Sequence, residues 1–286
     1  MTRLVKTTDT ILMGLIGSGI GASRSPALHQ SEGLAQGYPT VYRLIDLDVL
    51  KLDISALPEL LQSAERTGFQ GLNITFPCKQ AIIPYLTSLD AAAEALGAVN
   101  TLVLRDGERI GYNTDWSGYA EAFKAQMQDV SLERVVQFGA GGAGSAVAYA
   151  LLTLGVKNLT LIEADASKAE TLAKQFIPRF PHAIITVPRD PAAAVASADG
   201  IVNCTPIGMD KYPGTPFPIA WLKPSHWVSE IIYFPLETEL LHEARALGCR
   251  TIDGSGMNVY QAAEAFRIIT GLTPDPKRMR GFFDAL

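Results

Sequence analysis

The stretch "RVVQFGAGGAGSAVAYALLTLG", residues 134–155, decides the fold. A short β-branched run leads into a glycine-rich turn, and an apolar helical pattern follows the turn. Gly139, Gly141 and Gly144 stand in G-x-G-x-x-G spacing, which permits a tight turn, close approach of a pyrophosphate and close helix–strand packing. A helix N-terminus also attracts negative charge. The stretch therefore predicts a dinucleotide-binding unit; the alternative is a glycine-rich turn with packing duties only.

The predicted cofactor contacts extend along this turn and onto the next strand, "LTLIEAD". That strand ends in Glu163, whose carboxylate can bond both hydroxyls of a ribose and repels a 2′-phosphate. No arginine stands beside Glu163, so the sequence predicts NAD in preference to NADP. Asp165 either contacts the cofactor or caps the next helix, and Lys168 lies near the adenine or on the solvated surface. The predicted contacts within the turn are Gly139, Ala140, Gly141, Gly142, Ala143 and Gly144.

Composition excludes several other classes of protein. The chain has 286 residues, 48% of them hydrophobic, and a net charge of −5 without a long basic run, which argues against nucleic acid or an anionic membrane as a partner. Apolar runs such as "AVAYALLTLGV" are too short to span a bilayer. Cys78, Cys204 and Cys249 form no CxxC motif, and no histidine cluster accompanies them. We therefore expect no disulfide framework, no metal site and a cytoplasmic protein.

Alternation of short apolar runs with amphipathic stretches predicts an α/β fold of two lobes, with a parallel sheet in the second. Residues 1–113 plus 255–286 are predicted to form an α/β substrate-binding domain, and residues 114–254 a Rossmann-type dinucleotide-binding domain. A hairpin is expected to turn at Asp106-Gly107. Ser25 is expected to cap a helix that Pro26 opens. The stretch "PCKQAIIPYL" is predicted to be one helix.

Four polar stretches interrupt otherwise apolar surroundings: "SRSP", "NITFPCK", "GAVNT" and "YNTD". Each is predicted to lie where a strand gives way to a turn or helix, which is where α/β folds collect ligand groups. Taken singly, Ser25 and Asp115 could be helix caps and Asn100 a turn former. Lys79 stands at a predicted helix start, where the partial positive charge disfavours an ammonium. This position favours a proton carrier; the alternative is a snorkelling surface lysine.

Together, eight ordered motifs resemble the shikimate/quinate dehydrogenase family along nearly the whole chain. They are "SRSPALH", "NITFPCK", "GAVNT", "YNTD", "GAGGAG", "NCTPIGM", "YFPLETELL" and "GSGMNVYQ". The resemblance implies NAD-dependent oxidation of shikimate, quinate or both to the 3-dehydro acid. Lys79 would be the general acid/base, paired with Asp115 at the reacting C–OH.

The resemblance also implies contacts for the rest of both ligands. A first group would bind the substrate carboxylate: Ser23, Ser25 and Tyr233. A second group would hold the ring hydroxyls: Thr75, Asn100 and Gln261. A third group would line the nicotinamide end of the cofactor groove: Thr205, Met209, Gly254 and Met257.

Two departures from the family pattern bear on substrate and role. Many members have a histidine two residues before the first serine, where this chain has Gly21. Gln30 follows His29 in place of asparagine, so the family pattern does not define the shape of the pocket near the carboxylate. NADP-using biosynthetic members carry Asn-Arg-Thr after the second cofactor strand. Here "EADASK" stands there, as in NAD-using members, which favours quinate catabolism over aromatic amino acid biosynthesis by the shikimate pathway.

Other functions remain as alternatives. One is a dehydrogenase for a related acid such as aminoshikimate; a tetrahydrofolate dehydrogenase is disfavoured by the serine pair. Another is a weakly active NAD-binding sensor, which the Lys79–Asp115 pair argues against. We expect a monomer or a homodimer.

Overall fold

The computed structural model describes residues 10–285. They form two compact units. The described part of the first unit runs to Thr114 and resumes at Val259, and the second unit is Asp115–Asn258. Each unit contains a six-stranded sheet, which confirms the predicted α/β class.

The first sheet is mixed. Its strands are β1 (Ile11–Gly17), β2 (Thr40–Asp46), β3 (Gly71–Ile74), β4 (Ser88–Leu89), β5 (Thr101–Arg105) and β6 (Glu108–Tyr112), in the order β2-β1-β3-β5-β6-β4. Strand β1 pairs in parallel with β2 and β3, whereas β5 is antiparallel to β3 and β6. Asp106 (φ 54°) and Gly107 (φ 80°) form the turn between β5 and β6, so the predicted hairpin is confirmed.

The second sheet is parallel throughout. Its strands are β7 (Arg134–Phe138), β8 (Asn158–Ile162), β9 (Ile184–Thr186), β10 (Gly200–Asn203), β11 (Trp227–Glu230) and β12 (Arg250–Ile252). The order is β12-β11-β10-β7-β8-β9, with β7 between β10 and β8. The carboxyl ends of β7, β8, β10 and β11 therefore lie along one edge, the ligand-binding edge of open parallel sheets.

The helices cover both sheets. They are α1 (Ser25–Ala35), α2 (Leu47–Leu50), α3 (Leu57–Arg66), α4 (Cys78–Ala81), α5 (Ala91–Leu96), α6 (Asp115–Gln126), α7 (Gly142–Thr153), α8 (Ala166–Phe176), α9 (Pro191–Ala196), α10 (Glu239–Ala246), α11 (Ser255–Thr270) and α12 (Pro276–Asp284). In the first unit, Ile16 of β1 packs in one apolar cluster with Leu61 of α3. Its neighbour Leu15 belongs to a second cluster with Phe266 of α11. Both faces of this sheet are thus buried.

Two local predictions were wrong. Ser25 is the first residue of α1, and Arg24 occupies the cap position without a side-chain bond; the Ser23 Oγ accepts from the Ser25 N–H at 3.3 Å. The predicted helix over "PCKQAIIPYL" is the single turn α4, followed by a 3-10 turn at Ile83–Tyr85. Pro84 has no N–H and disfavours helical geometry in the residue before it, so the α-helix ends.

Helix α12, absent from the sequence predictions, is fastened to α1 by a buried carboxylate. Glu32 is fully buried, and its carboxylate accepts from Arg278 Nε at 2.9 Å and Nη2 at 2.6 Å. The Asp275 N–H donates to the same carboxylate at 3.0 Å. Burial acts to raise the pKa of Glu32, but the hydrogen bonds from Arg278 and its neighbours outweigh burial and lower it.

We expect Arg278→Ala to lower the free energy of unfolding by about 3 kcal/mol, because it leaves Glu32 buried without its cation. The loss should shrink as the pH falls through the pKa of Glu32, since a protonated carboxyl does not need the guanidinium. Arg280→Ala is the matched control on α12: its partner Asp284 is exposed, and we expect a loss below about 0.5 kcal/mol. Equal losses in urea unfolding would contradict the assignment.

Candidate active site

The glycine-rich turn has the geometry of a dinucleotide site. Gly139 has φ +95°, and a Cβ on it would lie 2.7 Å from the Cys204 carbonyl. A Cβ on Gly144 would lie 2.3 Å from the Gly139 oxygen. In contrast, a Cβ on Gly141 or Gly142 would meet no described atom within 4 Å. The first and third glycines are required by packing. The middle of the turn is open at the start of α7, and a helix N-terminus attracts anions.

Glu163 follows β8 and is held against this turn. Its Oε2 accepts from the Ala140 N–H at 2.8 Å, and its Oε1 accepts from the Ala164 N–H at 2.9 Å. A carboxylate fixed beside the turn fits a ribose diol and opposes a 2′-phosphate. Asp165 caps α8 by accepting from the Ser167 N–H at 3.1 Å, and a helix cap was one of its two predicted roles. Lys168 is exposed on α8, and the cofactor contacts of Asp165 and Lys168 stay predictions.

A buried asparagine organises the segment after β10. Asn203 Oδ1 accepts from the Thr205 N–H at 3.0 Å and from Thr205 Oγ1 at 2.7 Å. Asn203 Nδ2 donates to the Ile207 carbonyl at 2.9 Å. Two residues beyond Ile207, Met209 is 40% exposed. The side chain of Asn203 therefore sets the path of the segment that carries Thr205 and Met209.

Glu230, at the end of β11, was not predicted. Its carboxylate accepts from Asn203 Nδ2 at 2.9 Å, the Ile231 N–H at 2.9 Å and the Ile232 N–H at 3.1 Å. Burial raises the pKa of Glu230 to about 7, although the hydrogen bonds that its carboxylate accepts act to lower it. Burial and the nearby charge of Glu230 raise the pKa of Cys204. The signal was a single acid closing the apolar strand "HWVSEII".

Glu230 links the Asn203 segment to the residues that follow β11. Gly254 packs on those residues, since a Cβ on it would lie 2.1 Å from the Ile231 oxygen. Tyr233, one residue beyond Ile232, is 42% exposed. Three of the predicted ligand contacts in this unit, Thr205, Tyr233 and Gly254, thus sit on segments that touch or directly follow the Glu230 network.

The raised pKa of Glu230 predicts a pH-dependent stability. The folded protein binds more protons than the unfolded chain between about pH 4.5 and about pH 7, so the free energy of unfolding falls as pH rises through this window. The Glu230 contribution to that fall is on the order of 3 kcal/mol.

Glu230→Gln should remove this part of the slope, because glutamine does not titrate. Urea unfolding at about pH 5 and about pH 8 measures it. Glu239→Gln, at an exposed acid of α10, is the control and should keep the wild-type slope. An unchanged slope in Glu230→Gln would contradict the assignment.

In the first unit, buried hydrogen bonds connect the predicted substrate residues. Tyr42 Oη donates to Asn73 Oδ1 at 2.8 Å and is also hydrogen-bonded to Ser25. Burial raises the pKa of Tyr42. Asn73 Nδ2 donates to Thr101 Oγ1 at 3.2 Å, and Thr101 Oγ1 donates to Asn100 Oδ1 at 3.1 Å. Tyr42 was missed because one inward tyrosine in "TVYRLID" is equally a core residue.

Asn100 joins two of the sequence motifs. Its Oδ1 accepts from the Thr114 N–H at 2.7 Å, and its Nδ2 donates to Thr114 Oγ1 at 3.0 Å. It therefore does more than form a turn. These bonds hold the "GAVNT" stretch to Thr114 of "YNTD". Thr114 immediately precedes Asp115, the first residue of α6.

The segment after β3 carries Thr75 and Lys79, both half-buried. Lys79 lies in the single-turn helix α4. A helix this short has no separate first and last turns, so the argument from a long helix's charge does not apply to Lys79. Its pairing with Asp115, which belongs to the second unit, stays a prediction.

His29 and Gln30 shape the surroundings of Ser25. The His29 ring stacks on Tyr42 with centroids 4.9 Å apart, and burial lowers the pKa of His29 to about 3, so it is neutral. Gln30 Oε1 accepts from the Tyr42 N–H at 3.1 Å and so ties α1 to β2.

Met257 and Gln261 lie half-buried on α11, and their contacts with the cofactor and the substrate stay predictions.

Other kinds of site are not supported by residues 10–285. No group of histidine, cysteine, aspartate and glutamate side chains there could hold a metal ion. Every described helix is too short or too polar to cross a bilayer.

The glycine turn, the acidic residue after β8 and the parallel sheet define an α/β protein with a Rossmann-type dinucleotide-binding unit. Residues 15–102 match the family model described as the shikimate dehydrogenase substrate binding domain, and residues 254–281 match the shikimate 5′-dehydrogenase C-terminal domain.

Named relatives agree over nearly the full length. An NADP-linked shikimate dehydrogenase of Streptomyces avermitilis is 52% identical, over 96% of this chain and 94% of its own. An NAD-linked quinate/shikimate dehydrogenase of Corynebacterium efficiens is 48% identical, over 97% and 99%. The structure of a Corynebacterium glutamicum quinate dehydrogenase in complex with NAD superimposes with a TM-score of 0.93 at 48% identity, over 97% of this chain and 100% of that chain. The chain belongs to the shikimate/quinate dehydrogenase family of oxidoreductases.

Proposed function

We propose that this enzyme oxidises quinate, shikimate or both to the 3-dehydro acid, reversibly, with NAD as the hydride acceptor. The observation that carries the proposal is the Glu163 carboxylate held on the glycine-rich turn at 2.8 Å from the Ala140 nitrogen. The similar proteins include both NADP-linked and NAD-linked enzymes, so overall identity does not choose the cofactor. A fixed negative charge at the ribose position favours NAD, because it repels a 2′-phosphate.

The two domains predicted from the sequence would bind different ligands. Residues 1–113 with 255–286 would bind the acid, and residues 114–254 the cofactor. The family-model match of residues 15–102 to a substrate binding domain supports the first assignment. The open turn between Gly139 and Gly144 supports the second.

Within the first unit, each polar motif would take one part of the substrate. Ser23 and Ser25 would donate hydroxyl hydrogens to the carboxylate, a role also proposed for Tyr233 of the second unit. Thr75, Asn100 and Gln261 would hold the ring hydroxyls. The hydrogen bonds that fix Ser25 on Tyr42 and Asn100 on Thr114 support this, because fixed donors lose little entropy on binding.

Lys79 would move the proton. Oxidation of a secondary alcohol removes the hydroxyl proton while the C–H bond gives up a hydride, which bound NAD accepts. The Lys79 amine would take that proton, and Asp115 would orient the side chain. In the reverse direction, the Lys79 ammonium returns the proton to the ketone oxygen. Thr205, Met209, Gly254 and Met257 would enclose the nicotinamide end.

Lys79→Ala should lower kcat with quinate by about 10² to 10⁴, because no other group replaces the proton carrier. NADH binding, measured by fluorescence titration, should stay within about twofold of wild type, since the lysine would act on the substrate side. Gln80→Ala, at the exposed next residue of α4, is the matched control and should keep wild-type turnover. Wild-type-like turnover in Lys79→Ala would remove Lys79 from the mechanism.

A matrix of two substrates and two cofactors tests the function itself. The wild type should produce NADH absorbance with quinate or shikimate, at a higher kcat/KM for NAD than for NADP. Glu163→Gln keeps an acceptor for the Ala140 N–H but removes the charge, so the NAD/NADP ratio should fall by about tenfold. A wild type that prefers NADP would refute the cofactor argument. NADH binding without turnover of either acid would favour aminoshikimate as substrate, or a sensor.

The cellular location and the oligomeric state of the enzyme are also proposals. The described cysteines Cys78, Cys204 and Cys249 are unbridged, which supports a reducing cytoplasm. A monomer or a homodimer would serve the proposed chemistry, because one chain carries every residue assigned to it.

A further inference from the structure

A buried amide lies directly beneath the glycine-rich turn. Gln137 belongs to the central strand β7 and is fully buried. Its Nε2 donates to the Gly139 carbonyl and to the Gly144 carbonyl, both at 2.8 Å. Because both partners are acceptors, the nitrogen of the amide must face them, which fixes its orientation. One planar group therefore joins the end of the strand to the first turn of α7.

The other end of this amide has no partner. Among residues 10–285, no donor reaches Gln137 Oε1, although the atom is buried. A buried acceptor without a donor costs free energy, so stability alone would favour an apolar side chain here. The neighbours Val136 and Phe138 are apolar and buried. The presence of an amide here is best explained by the two carbonyls to which its nitrogen donates.

We propose that Gln137 is a positioning residue for cofactor binding: it clamps the first and third glycines so that the N–H groups between them stay aimed at the pyrophosphate. The inference rests on the proposed NAD function. The first N–H groups of a helix point away from its body, and here they belong to the exposed residues Gly141 and Gly142. With both ends of the turn fixed, less conformational freedom is lost when the anion binds.

Gln137→Met tests the clamp, since methionine has a similar length and no donor. The dissociation constant for NADH should rise by about tenfold. The kcat, and the KM for quinate at saturating NAD, should stay within about twofold, because Gln137 contacts neither the substrate residues nor the reacting atoms.

Ser229→Ala is the matched control. It removes a buried hydrogen bond on the same sheet, from Tyr119 Oη to Ser229 Oγ at 2.9 Å, and leaves both hydrogen bonds of Gln137 in place. Its melting temperature should fall while its NADH affinity stays at the wild-type value. A folded Gln137→Met that binds NADH like wild type would overturn the proposal.

Gln137→Glu supplies a second readout that lost packing alone would not produce. A protonated carboxyl can donate to one of the two carbonyls, whereas an ionised one repels both. The NADH affinity of Gln137→Glu should therefore rise as the pH falls, relative to wild type at each pH. Wild type measured over the same pH range is the control, because Glu163 contacts the same turn in both proteins. If Gln137→Met does not fold, the pH dependence of NADH affinity in Gln137→Glu is the test. A dependence parallel to that of wild type would refute the clamp.

The outcome for Gln137 is separable from the outcome for the function. A wild type that neither binds NADH nor oxidises quinate or shikimate would refute the proposed function. An active wild type with variants of unchanged NADH affinity would refute the Gln137 clamp alone.

Discussion

The close approach of α7 to the end of β7 is the constraint on which the second unit depends. With a Cβ on Gly144 only 2.3 Å from the Gly139 oxygen, any side chain there would push the helix from the strand. The contact fixes where the helix begins, and so where its open N–H groups lie. Since β8 and β10 flank β7, the segments carrying Glu163 and Thr205 emerge beside the same point. The glycine contact and the strand order together bring the start of α7 and the segments after β8 and β10 to the same part of the sheet edge.

Buried polar side chains, in addition to apolar packing, hold these segments in one arrangement. Apolar contacts are non-directional, whereas a buried amide or carboxylate without its partners is destabilising. Asn203 and Glu230 tie together the segments after β10 and β11. In the first unit, Asn73 and Asn100 link strand ends and motifs in the same way. These networks supply rigidity where most of the proposed ligand contacts lie.

The sequence predicted features whose signals are local. The glycine spacing, the Asp106-Gly107 hairpin and the acid at Glu163 each depend on residues close together in the chain. Gln137, Glu230 and Tyr42 were missed because their partners are set by the fold, and one polar residue in an apolar strand is equally consistent with a core position. The helix predicted over "PCKQAIIPYL" was too long, because Pro84 disfavours helical continuation and a 3-10 turn follows α4. Ser25 was misplaced by one helical position, a common uncertainty at helix ends.

Overall sequence identity does not distinguish the two cofactors, so the proposed cofactor choice depends on a single charge. The Streptomyces avermitilis relative is 52% identical and NADP-linked, while the Corynebacterium efficiens relative is 48% identical and NAD-linked. Both relatives cover at least 96% of this chain, so the NADP-linked and NAD-linked enzymes are similar to it over nearly the same length. The two cofactors differ only in a phosphate on one ribose hydroxyl, so only the residues near that hydroxyl can discriminate between them. In this chain the residue proposed to lie there is Glu163, whose carboxylate accepts from two backbone N–H groups. It cannot swing away to admit a second negative charge without leaving those donors unpaired.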